Sequence, residues 1–103
     1  MNSAPYCRTV VYPLNEGSAD AFITGFQAGV LEMYKKNGMQ YYVMNRNEKD
    51  PKAPYVSLFS VWNNLEEMNA AVNLVGDEQR SLIRPHMSGQ YNYTHGTVVD
   101  SSN

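Results

Sequence analysis

Residues 55–72, YVSLFSVWNNLEEMNAAV, join a strand-like run directly to a helix-like run. Branched and aromatic residues dominate the first part, which ends at Trp62, the only tryptophan of the chain. Because successive side chains alternate across a strand, this run has two largely apolar faces, with Tyr55, Ser57, Phe59 and Val61 on one and Val56, Leu58, Ser60 and Trp62 on the other. A strand of this kind needs cover on both sides.

A helix is predicted to begin at the asparagine pair that follows this strand. Either Asn63 or Asn64 can cap its first turn by accepting a hydrogen bond from a free backbone amide. Glu66 or Glu67 follows three residues later, which is the spacing of a capping box. The apolar side of the helix is predicted to consist of Leu65, Met68 and Val72.

The rest of the chain supplies three more strands and two more helices. Strands are predicted at Tyr6–Tyr12, Met39–Asn45 and Gln90–Val99. On the first of them, alternation places Arg8 and Val10 on one face and Cys7, Thr9 and Val11 on the other. An amphipathic helix is predicted between a Ser18 cap and a stop at Asn37-Gly38, and a short helix begins at Gly76-Asp77.

The resulting order is strand, helix, strand, strand, helix, strand. It predicts one α+β domain over residues 1–103, with a ferredoxin-like βαββαβ arrangement of a four-stranded antiparallel sheet and helices on one face. The other face of the sheet would leave tyrosine, phenylalanine and valine side chains in water. Exposed apolar patches of this kind mark interfaces, so we predict a two-fold homodimer, sheet against sheet.

Composition and charge exclude several classes of partner. The 103 residues carry a net charge of −2 with only eight Lys and Arg, which argues against a protein that depends on phosphate contacts, and no nucleic acid is predicted. The order of elements also occurs in RNA-recognition domains, but the third strand lacks their basic start and closely spaced aromatics. No membrane span or signal peptide is apparent, so a cytoplasmic location is predicted.

Three stretches of the sequence resemble a known protein family. They are a helix running into KKNGMQYYVMNRNEKDP at residues 35–51, a strand ending in VW at Trp62, and the helix NLEEMNAAV at residues 64–72. Together they resemble the dimeric α+β barrel group that includes antibiotic biosynthesis monooxygenases. The resemblance covers residues 6–72 and implies a pocket between the sheet and the helices of each subunit.

For the quinone-forming members, the resemblance implies oxygenation without metal or flavin, in which an activated substrate reacts with oxygen while the protein supplies acid, base and oxyanion donors. It implies a participating tryptophan and, four residues earlier, an asparagine. Trp62 matches the tryptophan, whereas the earlier position is Leu58. Haem-degrading relatives use a histidine on the next helix, and residues 63–75 contain none, so no cofactor is expected.

Five residues are predicted to contact a bound small molecule: Trp62, Asn63, Tyr41, Tyr93 and His95. Trp62 offers a flat apolar face and one donor and is assigned a catalytic role, and His95 is the predicted general base. The alternatives are a tryptophan packed in the core and a histidine that is solvated or structural. His86 and His95 lack the spacing of a metal site, so no metal is predicted.

Two further features each allow two interpretations. Arg80 and Arg84 are one helical turn apart and, with His86, could attract an anionic substrate, although a solvated basic face is the preferred interpretation. Gly25 and Gly29 each weaken the first helix by about 1 kcal/mol relative to alanine. They either bring this helix close to the sheet or leave space for a ligand.

Two functions follow from these features. One is a cofactor-independent monooxygenase-like or isomerase-like enzyme that acts on a small aromatic or polyketide-like molecule. The other is a non-catalytic ligand-binding or structural dimeric module, because this kind of scaffold hosts unrelated activities. Oxygen uptake with phenols would support the first, whereas stabilisation by a ligand without turnover would support the second.

Overall fold

Four antiparallel strands form one sheet in the computed structural model, which describes residues 4–102. Residues 1–3 and 103, the ends of the predicted domain, lie outside the described residues. The strands are arranged in the order β2-β3-β1-β4. Their bounds are Tyr6–Pro13 for β1, Met39–Asn47 for β2, Tyr55–Trp62 for β3 and Asn92–Thr97 for β4. The predicted strands are therefore present, with β2 longer and β4 shorter than expected.

The first predicted helix contains a π-helical turn. Helix α1 covers Ala19–Phe26, the π turn covers Gln27–Leu31, and helix α2 covers Glu32–Lys36. The residues at both joints keep right-handed helical dihedrals, so the three parts form one continuous rod. Ser18 stands at the predicted cap position without a capping bond from its side chain. The helix ends at Gly38, whose positive φ of 107° is the backbone conformation that glycine tolerates best.

The second predicted helix, α3, covers Leu65–Leu74 and begins at Asn64. The Glu67 backbone N–H donates to Asn64 Oδ1 over 2.9 Å, and Asn64 Nδ2 donates to Glu67 Oε2 over 3.0 Å. Of the two asparagines left open by the sequence, Asn64 is therefore the cap. A short helix α4 at Asp77–Ser81 and a 3₁₀ turn at Arg84–His86 follow it.

Strand register separates the two faces of the sheet as the alternation predicted. Arg8 pairs with Ser60 and His95, and Val10 pairs with Leu58 and Tyr93. Since residues directly opposite each other in an antiparallel pair share a face, these side chains all lie on the helix side of the sheet. The core on this side includes the fully or almost fully buried side chains Val10, Phe22, Phe26, Leu58, Trp62 and Ala71.

The opposite side of the sheet, here called the open face, carries apolar side chains with no cover from the chain itself. Tyr41 is 52% exposed, Val43 is 42% exposed and Phe59 is 37% exposed. Val43 pairs with Phe59 across β2 and β3, and Phe59 pairs with Thr9 across β3 and β1, so Phe59 lies near the middle of the open face.

Gly25 and Gly29 face α4 and the residue after it, and not the sheet. A Cβ on Gly25 would overlap the carbonyl oxygen of Leu82, and a Cβ on Gly29 would lie 3.1 Å from Leu82 Cδ1 and 3.5 Å from the carbonyl oxygen of Gln79. The glycines bring the first helix close to α4 and Leu82, so the expectation of a close approach to the sheet was wrong. Their effect is to hold α4 against the first helix, and α4 forms part of the cavity described next.

Candidate functional site

A cavity of about 530 Å³ lies between the helix side of the sheet and the helices. Strand β1 contributes Arg8 and Tyr12 to its wall, and the first helix contributes Val30 and Tyr34. The remaining wall comes from the end of α3 and from the segment between α4 and β4. Its size is within the range of small-molecule sites in proteins, about 300–1,000 Å³. A pocket in this position is what the family resemblance implied.

Arg8 is a charged and buried residue in the wall of this cavity. Its side chain is on the helix side of β1 and only 5% exposed. The guanidinium donates to the Tyr34 hydroxyl over 3.5 Å and lies 5.0 Å from the centre of the Tyr93 ring, which is a cation–π distance. Arg8 is therefore fixed between two aromatic side chains, neither of which carries a negative charge at neutral pH.

Two buried tyrosines provide neutral hydroxyl groups beside Arg8. Burial raises the pKa of Tyr12 far above its ordinary value, with a smaller contribution from Tyr34, while Arg8 opposes the shift. Burial likewise raises the pKa of Tyr34, and the adjacent Arg8 partly offsets the effect. Both hydroxyls stay protonated at physiological pH, so they can donate hydrogen bonds to an oxyanion and do not serve as bases.

Arg80 and Arg84 bring two more positive charges to the same cavity. Arg80 is in α4 and Arg84 opens the following 3₁₀ turn, and both side chains line the cavity wall. Within residues 4–102, no aspartate, glutamate or histidine lines this wall. The cavity is therefore positively charged. Both arginines are also exposed, so their placement is compatible with an anion-attracting pair and with the preferred solvated basic face.

A strip of aromatic rings lies beside the cavity on the helix side of β4. His95 stacks on Tyr93 with ring centres 5.7 Å apart, and its Nδ1 is 2.7 Å from the Tyr6 hydroxyl. Both His95 and Tyr93 are exposed. Tyr93 connects this strip to Arg8, whereas neither Tyr93 nor His95 is part of the cavity wall. The structure therefore brings these two predicted site residues together at the margin of the cavity.

Trp62 lies one layer behind the cavity. It is 0% exposed, its indole N–H donates to Ser60 Oγ over 3.0 Å, and its ring meets the ring of Tyr34 edge to face at 5.4 Å. Tyr34 is part of the cavity wall, whereas Trp62 is not. This placement corresponds to the core-packed alternative, with Trp62 supporting a residue that faces the ligand. Its catalytic role stays a prediction, since Trp62 is not part of the cavity wall.

Asn63 and Tyr41 are placed away from the cavity. Asn63 is exposed, and its amide donates to Glu67 Oε1 over 3.3 Å. Tyr41 pairs with Val61 on the open face, so the sheet itself separates it from the cavity. The reason is a shift of register between Met39 and Tyr41, which turns Tyr41 outward while Met39 pairs with Trp62. The contact of Tyr41 with a ligand stays a prediction, and its place on the open face does not support it for this cavity.

The residues that sequence reasoning missed as site residues are Arg8, Tyr12 and Tyr34. The signal for Arg8 was present, because alternation placed it on the face of Val10, where a charge is unexpected. Tyr34 lies within the predicted amphipathic helix, where an aromatic residue is expected to pack in the core. Among residues 4–102, no group of three or more His, Cys, Asp or Glu side chains is positioned to hold a metal ion. The absence of metal and cofactor from the function stays a prediction.

The sheet order, the helices on one face and the cavity between them define the chain as a ferredoxin-like α+β fold of the kind seen in dimeric α+β barrels. A dimeric ferredoxin-like protein from an uncultured marine organism matches with a TM-score of 0.74 and 13% sequence identity, over 96% of this chain and 99% of that one. The predicted fold is thereby confirmed.

Two further solved structures are similar to the chain. An antibiotic biosynthesis monooxygenase-like protein from Chloroflexus aurantiacus has a TM-score of 0.72 and 22% identity, over 97% of this chain and 98% of that one. SnoaB, a cofactor-independent oxygenase from Streptomyces nogalater, has a TM-score of 0.70 and 16% identity, over 96% and 98%. No protein-family model and no curated protein sequence matches the chain. At these identities the likeness establishes the fold.

None of the helices in residues 4–102 has both the length and the apolar character needed to cross a membrane.

Proposed function

We propose that the protein is a cofactor-independent oxygenase that acts on a small phenolic molecule bound in the cavity. The observation that carries the proposal is the set of three arginines and two neutral tyrosine hydroxyls around one cavity. Such groups stabilise a phenolate or enolate, which is the form of an aromatic substrate that reacts with oxygen. The fold is shared with SnoaB, an enzyme whose description states this type of activity.

The proposed reaction oxidises a phenol at its free para carbon. A base removes the phenolic proton, and the resulting anion is held by Arg8 and by the Tyr34 hydroxyl. Electrons from the ring reduce O₂, a C–O bond forms at the para carbon, and a hydroperoxide results. Loss of the para proton and cleavage of the O–O bond then release water. For 1-naphthol, one O₂ is consumed and the products are 1,4-naphthoquinone and water.

His95 is the base in this proposal, and Tyr93 a substrate contact beside it. In the tautomer that donates from Nδ1 to the Tyr6 oxygen, Nε2 is unprotonated and can accept a proton. The ring of Tyr93 contacts both His95 and Arg8, so one aromatic side chain connects the proposed base to the anion-stabilising group. Trp62 acts through Tyr34 and is a positioning residue.

Oxygen uptake by the metal-free protein with 1-naphthol and related phenols tests this function. We expect one quinone for each O₂ consumed and, for His95→Gln, a fall in kcat of about a hundredfold or more, since general bases contribute roughly 10²–10⁴-fold. His86→Gln is the matched control, because His86 lies in the 3₁₀ turn and, within residues 4–102, has no ring contact with Tyr93 like that of His95. Oxygen uptake no faster than the spontaneous reaction across the whole panel would overturn the proposal.

A second function is favoured by one observation, the lack of any acidic or imidazole group in the cavity wall within residues 4–102. The protein would then bind an anionic aromatic molecule without transforming it. A bound ligand stabilises the folded state by mass action, so a rise in melting temperature without oxygen uptake is the expected signature.

We also propose that two copies associate through the open face. The exposed Tyr41, Val43 and Phe59 lie together there, and a structurally similar protein is described as dimeric. A second copy placed sheet against sheet would remove these side chains from water, which is the usual reason for an apolar patch of this kind.

A further inference from the structure

In the part of the chain that the structure describes, Arg8 is a buried cation without a partner of opposite charge. Within residues 4–102, the ion pairs formed by side chains are those of Arg46 with Asp20 and with Glu48, on the surface. Among the described residues, the Arg8 side chain makes one hydrogen bond, to the neutral Tyr34 hydroxyl, and no buried side-chain nitrogen lacks a partner. The remaining N–H groups of Arg8 therefore retain access to the cavity. A buried charge of this kind is costly unless an opposite charge pairs with it.

Arg80 and Arg84 reinforce the positive charge of the same cavity. They line it from α4 and the 3₁₀ turn, whereas Arg8 lines it from strand β1. Neither is ion-paired within residues 4–102. Guanidinium groups bind carboxylates through paired hydrogen bonds, so three of them around one space favour an oxyanion as the occupant.

Much of the remaining cavity wall is apolar or aromatic, beside the polar side chains of Ser88 and Gln90. Val30, Val75 and Ile83 face the space, and the rings of Tyr12 and Tyr91 stand 5.6 Å apart at the wall. A cavity of about 530 Å³ is larger than a small inorganic anion alone would fill, and the apolar and aromatic side chains of its wall would be left without contacts. An organic ring system that carries an acidic group would contact the apolar and aromatic residues through its ring and the arginines through its charge.

We propose that the ligand of this cavity is an aromatic carboxylate, with its carboxylate held by Arg8, Arg80 and Arg84. That the ligand is also the substrate rests on the function proposed above. The carboxylate neutralises Arg8 on binding, while the ring is enclosed by the apolar wall. Arg8, Arg80 and Arg84 thereby determine specificity, because a neutral analogue of the same shape leaves their charges unpaired.

Titration calorimetry with 2-naphthoate and its neutral isostere 2-naphthamide tests this inference on the complete chain. We expect 2-naphthoate to bind at least about tenfold more tightly than the amide, as hydrogen bonds to charged groups contribute at this level. Arg80→Gln and Arg84→Gln each weaken the binding of 2-naphthoate and leave that of 2-naphthamide unchanged. Arg46→Gln, which removes a surface arginine paired with Asp20 and Glu48, is the control and changes neither.

Equal affinities for the acid and the amide would overturn the inference, and so would binding of inorganic phosphate as tight as that of 2-naphthoate. Binding and oxygen uptake together distinguish a failure of this inference from a failure of the proposed oxygenase. Tight binding of 2-naphthoate without oxygen uptake on any hydroxynaphthoate contradicts the oxygenase and supports the anion site. Oxygen uptake with 1-naphthol that is as efficient as with 1-hydroxy-2-naphthoate supports the oxygenase and contradicts the anion site.

Discussion

Arg8 occupies a strand position where the pattern of its neighbours calls for an apolar side chain. Val10 and Tyr12, two and four residues later on the same face, are both buried in the core. An arginine here has no stabilising partner in the described chain beyond the neutral contacts to Tyr34 and Tyr93. Its position fits the anion site proposed above, since a buried charge is stabilised when a ligand of opposite charge pairs with it.

We expect Arg8→Met to separate stability from binding. Replacing a buried charge by an apolar side chain of similar length should raise the free energy of unfolding by about 1 kcal/mol. Binding of 2-naphthoate should fall by more than about tenfold in calorimetry, because the central guanidinium is lost. Arg46→Met should leave binding unchanged. A loss of stability of about 2 kcal/mol or more in Arg8→Met would identify Arg8 as a structural residue instead.

The buried tyrosines predict how stability depends on pH. The folded-state pKa of Tyr12 is raised above its unfolded value, so its stabilising effect is complete below about pH 10 and decreases as the pH rises beyond it. Above pH 10, the free energy of unfolding from urea denaturation should fall with pH less steeply in Tyr12→Phe than in the unaltered protein. The two slopes should differ by about 1.4 kcal/mol per pH unit. The same steepness in both proteins would contradict the burial of this phenol.

At the scale of the elements, local patterns were sufficient for most of the secondary structure. Alternation identified the two faces of β3, and the Asn64 and Glu67 pair marked the start of α3. The π turn at Gln27–Leu31 was not predicted, because its residues fit an α-helix equally well. The cavity was also beyond local reasoning, since its wall combines β1, the first helix and residues 80–91, which are brought together only by the tertiary fold.

Gly25 and Gly29 provide a matched pair of tests for the contact of the first helix with α4 and Leu82. Alanine at Gly25 would overlap a backbone carbonyl of Leu82, which cannot move without shifting the cavity wall, so we expect a loss of about 1–2 kcal/mol. Alanine at Gly29 meets the flexible end of the Leu82 side chain. There the gain in helix propensity offsets the contact, and stability should change by less than about 0.5 kcal/mol.

Denaturant unfolding of the two glycine variants measures this difference directly. Binding of 2-naphthoate should weaken in Gly25→Ala and stay unchanged in Gly29→Ala, because only the first displaces the backbone next to Arg80 and Arg84. Equal stabilities of the two variants would contradict the close approach at Gly25.

At the scale of the whole molecule, the order of elements was enough to predict the ferredoxin-like arrangement. Right-handed crossovers and short connections leave few ways to arrange four strands and two helical segments. That residues 1–103 form a single domain stays a prediction. Association through the open face was inferred from apolar residues on both sides of β3, a signal that depends on composition and register alone.

Phe59→Glu tests the proposed dimer. A carboxylate at the centre of the open face would be buried without a partner on association, so we expect the variant to sediment at the 11.6 kDa of one chain and the unaltered protein at twice that mass. Leu74→Glu is the control, because Leu74 is 53% exposed on α3 and away from this face. A monomeric unaltered protein with intact secondary structure would contradict the dimer.

On β1 and β3, the side chains on the helix side carry even numbers and those on the open face carry odd numbers. The proposed ligand recognition and self-association therefore depend on alternate residues of the same two strands. Substitutions at even-numbered positions such as Arg8 can change which molecule is held without disturbing subunit pairing. Inserting a single residue into β1 would exchange the two sets and abolish both properties at once, so this strand should tolerate replacement far better than any change in length.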